Sequence, residues 1–148
     1  MRNKKILLII LVLFISFLGA CQKGTITKVS DVNEFDKLIQ SENTLLYDIR
    51  TKDECSLAHI PYFMCMGKDI KMTKEELLEV ASNISLVYSK KSDLKKIIIF
   101  IGNEEDILIV FNELKANGYK NLYYFEGGYE GYATKKGDSF VPATGCDC

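Results

Sequence analysis

The run Ile97-Ile98-Ile99-Phe100-Ile101 most constrains the fold. Five consecutive large apolar residues, four of them β-branched, suit a strand covered on both faces, as in a parallel sheet. Gly102 and Asn103 interrupt the run. Glu104, Glu105 and Asp106 then open a helix with Ile107, Phe111 and Leu114 on its apolar side, and Asn117-Gly118 closes it. Ligands of parallel sheets bind beyond the carboxyl ends of the strands, which places Ile101–Asp106 at the natural crevice. That stretch offers an aliphatic side chain, a glycine, an amide and three carboxylates, and no nucleophile.

The same alternation extends along the chain. Asp31-x-x-Glu34 has the form of a capping box and opens a helix buried through Phe35, Leu38 and Ile39. Thr44–Ile49 reads as a strand and Thr51–Ala58 as one or two helical turns. Pro61 enforces an extended Ile60, and Tyr62–Met66 reads as a short strand with Phe63 and Cys65 on one face. Thr73-x-x-Glu76 caps a longer helix with Leu77, Ala81, Ile84 and Val87 at helical spacing. Lys90, Lys91, Lys95 and Lys96 flank the turn into the Ile97 strand. Asn121–Phe125 is a further strand, followed by a Glu126-Gly127-Gly128 turn and a short helix around Tyr129–Ala133. The expectation is a single α/β domain with a mostly parallel sheet and helices on both faces.

The 148 residues divide unevenly. Arg2, Lys4 and Lys5 precede an apolar run, Ile6–Leu18, that is shorter than the roughly 20 residues needed to span a bilayer and has the layout of an export signal. Leu18-Gly19-Ala20-Cys21 resembles the lipobox of bacterial lipoproteins. The resemblance implies removal of residues 1–20, lipid modification of Cys21, and a palmitate-bearing anchor at the extracytoplasmic face of the cell membrane. Residues 21–28 are then expected to form a short tether, 29–136 the domain, and 137–148 an irregular tail. Removing Arg2, Lys4 and Lys5 from nineteen basic residues leaves sixteen against twenty acidic ones, a net charge of −4. Such a balance gives no basis for nucleic acid binding.

Separated pieces of the chain share one pattern. Asp48-Ile49-Arg50-Thr51-Lys52-Asp53-Glu54 with His59-Ile60-Pro61 resembles the first signature of rhodanese-like domains. Asn117-Gly118-Tyr119-Lys120-Asn121-Leu122 and Phe125-Glu126-Gly127-Gly128-Tyr129-Glu130-Gly131-Tyr132 resemble their closing segment. The resemblance implies structural parts for Asp48, Arg50, His59, Pro61, Gly127 and Gly128, with Asp48 and Arg50 as a fixed charge pair and Glu54 as a second partner for Arg50. It also implies that active members carry a sulfur-accepting cysteine at the strand end, in a loop of N–H groups, where this chain has Ile101 and the loop Gly102, Asn103, Glu104, Glu105 and Asp106. Isoleucine cannot attack a sulfur donor, and three carboxylates would repel thiosulfate by several kcal/mol in a poorly hydrated loop. Tyr62 stands where relatives usually keep a glycine. A sulfurtransferase-like fold without sulfurtransferase chemistry, an inactive homologue that binds a protein or small-molecule ligand, is the resulting expectation.

Other side chains leave alternatives open. The acidic triplet suits the helix dipole, each carboxylate contributing about 0.3–1 kcal/mol, or else a cation site with Asp48 as neighbour. His59, the one histidine, fits a hydrogen-bonded turn better than a catalytic base. Cys55 and Cys65 suit simple burial, or a disulfide if their Cα atoms approach within about 7 Å. Cys146-Asp147-Cys148 suits thiol exchange or a soft metal, with Cys55, Cys65 and His59 the only residues able to complete a zinc site, or else an incidental chain end. A thiol redox or sulfur-carrier protein using Cys65 or Cys146/Cys148 is thus the second expectation, and a metal on the Cys146/Cys148 pair the third. No other cofactor is expected.

Overall fold

A computed structural model of the chain describes residues 24–145. The signal segment, Cys21, Cys146 and Cys148 lie outside the described residues.

Five strands form one wholly parallel sheet: β1 (Thr25–Val29), β2 (Thr44–Asp48), β3 (Met64–Cys65), β4 (Ile97–Ile101) and β5 (Asn121–Phe125), in the spatial order β1-β5-β4-β2-β3. The helices are α1 (Val32–Ile39), α2 (Lys52–Leu57), α3 (Lys74–Val87), α4 (Glu104–Ala116) and α5 (Gly128–Lys136), with single 3-10 turns at Asp93–Lys95 and Gly137–Ser139. The expected α/β architecture is therefore present.

β4 lies at the centre and its side chains divide between two cores. Ile98 and Phe100 join Tyr47, Leu77, Ile84, Phe111 and Leu114 under α3 and α4. Ile99 and Ile101 join Val29, Phe35, Ile60, Phe125 and Tyr132 under α1 and α5. Side chains alternate between faces along each strand, so a strand buried on both sides must be apolar throughout. That is why the Ile97 run reads so clearly.

The expected capping boxes are observed in part. Thr73 and Glu76 exchange side-chain and backbone bonds at the start of α3, and Thr51 and Glu54 do the same at α2; Asp31 caps α1 by accepting from the Glu34 N–H.

Four expectations need correction. Residues 25–28, read as tether, belong to the edge strand β1, paired from Thr25↔Asn121 to Val29↔Phe125. Its Thr-Ile-Thr-Lys-Val sequence buries only Val29 fully, so the apolar signal of a strand is faint. In α3 the buried stripe is Leu77, Val80, Ala81 and Ile84, while Val87, in the last turn, is exposed. The Tyr62–Met66 strand shrinks to Met64–Cys65, because Pro61-Tyr62 makes a tight turn with Tyr62 at φ 74° and the Phe63 N–H donating to the Ile60 carbonyl. The tail is not wholly irregular either. After the 3-10 turn, Ala143 forms an antiparallel bridge with His59, and the Gly145 N–H donates to the Ser56 carbonyl at 2.7 Å.

Candidate functional site

The carboxyl ends of β2, β3 and β4 lie level. Asp48 is paired in register with Ile101 on one side and Cys65 on the other. In-register residues of parallel strands share a face, and strands are spaced about 4.8 Å apart. Cys65 therefore sits roughly 10 Å across the sheet edge from Ile101. A cleft of about 420 Å³ opens above this edge, lined by Ile49–Thr51, Glu54, Lys71, Met72, Gly102, Asn103, Asp106 and the Gly127–Glu130 turn.

Ile101 is fully buried in the α1/α5 core and is not part of the cleft wall. Immediately after it the chain becomes helical. The Asn103 side chain accepts from the Glu105 N–H at 2.9 Å, and the Asn103 carbonyl accepts from the Ile107 N–H at 3.0 Å. Only Gly102 and Asn103 separate β4 from α4, so the first N–H groups of the helix are taken up by an ordinary N-cap.

The acidic triplet does not converge. Glu104 turns toward β1 and β5, where it pairs with Lys28 at 2.8 Å and accepts from the Tyr124 hydroxyl at 2.9 Å. The Lys28 ammonium, then the Tyr124 hydroxyl, hold its carboxyl below the usual range. Asp106 turns the other way, 3.4 Å from Lys71, and Glu105 is exposed. The cation arrangement with Asp48 is ruled out by position as well. Asp48 is completely buried, and both of its oxygens are engaged by Arg50. The helix-dipole explanation fits these positions.

Asp48 and Arg50 do form the expected fixed pair. Arg50 Nε donates to both carboxylate oxygens at 3.1 Å, Nη2 donates to Oδ2 at 2.6 Å and to the Ala58 carbonyl at 2.7 Å, and the Arg50 N–H donates to Oδ1 at 3.0 Å. The guanidinium also stacks on Tyr129, 4.1 Å from the ring centroid. Glu54 is held chiefly by Thr51, whose hydroxyl and N–H donate to its carboxylate, and the Arg50 charge acts on it as a lesser, through-space influence. With Arg50 neutralised by Asp48, the remaining charged residues of the lining are Lys71, which pairs with Asp106, and the carboxylates Glu54 and Glu130. Such a lining gives thiosulfate or phosphate no net attraction.

The walls depend on close backbone approach. A Cβ on Gly128, at φ 60°, would fall 2.8 Å from the Gly102 carbonyl oxygen, pressing the Gly127-Gly128 turn against the end of β4. A Cβ on Gly67 would overlap the Arg50 carbonyl. Tyr129, part of the closing motif, lines the cleft, and Gly67, which no local pattern in the sequence marked, lets the chain pass against the Arg50 carbonyl.

The other end of the edge is chemically different. Cys55 and Cys65 form a disulfide with Cα atoms 6.0 Å apart. His59 Nδ1 lies 2.9 Å from the Cys55 carbonyl oxygen, and the ring is buried. A carbonyl can only accept, so Nδ1 carries the proton and Nε2 is left with the lone pair of the neutral ring. The two sulfurs and one ring nitrogen of His59 lie within 4.8 Å of one another. Pro61 occupies the turn that returns the chain from His59 to β3, in keeping with its structural part.

Comparison with known proteins agrees with this architecture. Residues 31–135 match the family model described as Rhodanese-like domain. The uncharacterized protein RC0915 of Rickettsia conorii is 26% identical over 114 residues, covering 76% of this chain and 91% of that one. A Rickettsia montanensis protein encoded in the dnaA 5' region matches to the same extent. The crystal structure of the Alr3790 protein from Anabaena sp. superposes with a TM-score of 0.55 at 17% identity, over 80% of this chain and 81% of that chain. The solution structure of the rhodanese-like domain of Alr3790 gives 0.50 at 17% identity, over 85% and 89%. With the family model covering most of the described residues, the chain belongs to the rhodanese-like domain family.

Proposed function

We propose that the protein is a non-catalytic binding module of the rhodanese-like family, held by lipid on Cys21 at the extracytoplasmic face of the cell membrane. The observation that carries the first part is the burial of Ile101 in the core, with α4 beginning two residues beyond Gly102. A strand end that presents no lone pair cannot accept sulfur. The cleft offers an aromatic ring, a shielded guanidinium and carboxylates. That lining suits a neutral or cationic ligand, such as a peptide segment or polar small molecule, better than an oxyanion.

The anchor is supported by the Leu18-Gly19-Ala20-Cys21 sequence. Among the described residues no helix is long and apolar enough to cross a membrane. Since β1 starts at Thr25, only a few residues separate Cys21 from the domain, which would lie against the headgroups.

The full chain should form no thiocyanate above background from thiosulfate and cyanide. Saturable turnover that persists when every cysteine is serine would overturn the non-catalytic reading. Incorporation of labelled palmitate that is lost in Cys21→Ser is the expected result for the anchor, and unchanged incorporation would refute it.

A second reading, a thiol redox or sulfur-carrier protein, is favoured by the Cys55–Cys65 disulfide beside His59. It requires a thiol of lowered pKa after reduction. Rapid alkylation of Cys65 at mildly acidic pH is its signature, and slow reaction of every cysteine would remove it.

A further inference from the structure

We infer that the Cys55–Cys65 disulfide is a redox latch on the cleft: oxidised, it holds α2 and the wall residues that α2 carries, and reduced, it releases the segment 51–59 while the sheet stays folded. That the cleft takes a ligand rests on the binding-module reading; the release of α2 does not.

The sequence of α2, Lys-Asp-Glu-Cys-Ser-Leu, has no apolar stripe. A helix of 6 residues falls well short of the roughly 12–15 at which helices become even marginal in water, so its surroundings must hold it. Its one fully buried side chain is Cys55, and Leu57, its other apolar residue, is 79% exposed. Its main contacts with other elements are with β3, which carries the far end of the disulfide. The helix α3 shows the contrast: it buries Leu77, Val80, Ala81 and Ile84 and is held by packing. A helix attached through one side chain stays where that side chain is bonded.

What α2 carries belongs to the cleft. Thr51, its N-cap, and Glu54 both line the cleft and fix each other through the capping box. Just past the helix, the Ala58 carbonyl accepts from Arg50 Nη2 at 2.7 Å, and the Arg50 guanidinium stacks on Tyr129, another lining residue. The tail is tied to the same segment, since the Gly145 N–H donates to the Ser56 carbonyl and two backbone bonds of 2.9 Å join His59 to Ala143. Backbone bonds also fasten the start of α2, as from the Lys52 N–H to the Lys68 carbonyl at 2.8 Å, but water can replace each of them at small net cost.

The switching step is thiol–disulfide exchange. Cys55 has no exposed surface and Cys65 is half-buried, so the thiolate of a dithiol donor attacks the Cys65 sulfur. The Cys55–Cys65 bond breaks, and Cys55 leaves with the electron pair and takes up a proton. The donor's second thiol gives up its proton and attacks the mixed disulfide, and Cys65 departs and is protonated in turn. The donor ends as its own disulfide, having passed over two electrons and two protons. Reduction opens a loop of sequence separation 10, which makes unfolding of α2 easier by about 100-fold.

The test compares the oxidised full chain in detergent micelles with the same chain reduced by a water-soluble phosphine. On reduction, amide hydrogen exchange in residues 52–58 and at Ala143 and Gly145 should speed up about 100-fold, while Ile98–Ile101 and Ile107–Leu114 remain the most protected amides. The Glu54 carboxyl, which Thr51 holds below its usual range in the oxidised chain, should titrate at its ordinary value in the reduced one, as followed by NMR. The double variant Cys55→Ser/Cys65→Ser should match the reduced chain with no phosphine present. Unchanged exchange in α2 would overturn the inference, because the helix would then be held without the bond. So would exchange in β4 and α4 as fast as in α2, which would make reduction a global unfolding. A Glu54 carboxyl that titrates alike in both states would overturn it as well, since the cleft wall would then be indifferent to the bond. No ligand enters these measurements, so a cleft that proves to bind nothing would count against the binding module and not against the latch.

Discussion

Two strand ends on the same sheet edge, one strand apart, have opposite characters. At β4 the chain passes from buried Ile101 through a capped turn into α4, and Gly102, Asn103 and Asp106 line the cleft above it. At β3 it ends in Cys65, bonded to Cys55 beside a buried histidine and under a tail docked to that histidine's backbone. Asp48 stands between them, in register with both. One sheet edge, with one charged pair and one glycine turn, therefore holds an end closed by apolar packing and an end that carries a disulfide and an imidazole.

The largest effect that would sharpen this contrast is expected at the divider. Asp48→Asn leaves Arg50 without its counter-charge in a mostly buried site and should destabilise the protein by about 3–5 kcal/mol in denaturant unfolding. A loss below 1 kcal/mol would mean that the pair does not hold the two ends in register. Reduction of the Cys55–Cys65 bond, which closes a loop of sequence separation 10, should lower stability by about 2–3 kcal/mol in metal-free buffer while the β4 side stays folded. Unchanged stability would show that the β3 end does not need the bond.

These two positions also show what the sequence could and could not reveal. Ile97–Ile101 is apolar at every position because both faces are covered, and that pattern alone locates the central strand. Asp48 and Arg50 were readable because a charge pair at a strand end has few other uses. β1 was hidden, since an edge strand of threonines and a lysine buries too little to show a period. The docked tail was hidden for a different reason: its contacts are backbone bonds from Ala143 and Gly145, which no side-chain pattern records. Val80 and Val87 could not be separated by spacing alone, because both fall near the apolar stripe and only the helix end decides which is covered.

Smaller effects bear on the turn joining the two ends. Tyr62 holds φ 74° after Pro61, a left-handed position that favours glycine. Tyr62→Gly should raise stability by about 1 kcal/mol in thermal unfolding, with the strain relief partly offset by the freer unfolded chain. Destabilisation would mean that the exposed ring has a packing part in solution. The smallest effect concerns Glu54, whose carboxyl lies below its usual range chiefly through the Thr51 side-chain hydrogen bond. A depressed folded-state pKa gives stability that is complete above the unfolded value and disappears as pH falls through the folded one. Glu54→Gln should therefore flatten stability against pH on the acid side of about 4.5, by less than about 0.5 kcal/mol for so exposed a group.

The contrast is tested most directly by placing a thiol at the sealed end. In a chain carrying Ile101→Cys, with Cys21, Cys146 and Cys148 changed to serine and the native disulfide intact, the account predicts alkylation of position 101 only upon unfolding, because that side chain faces the α1/α5 core. Rapid labelling of the native protein would contradict it, showing that the end of β4 opens into the cleft as a reaction centre would.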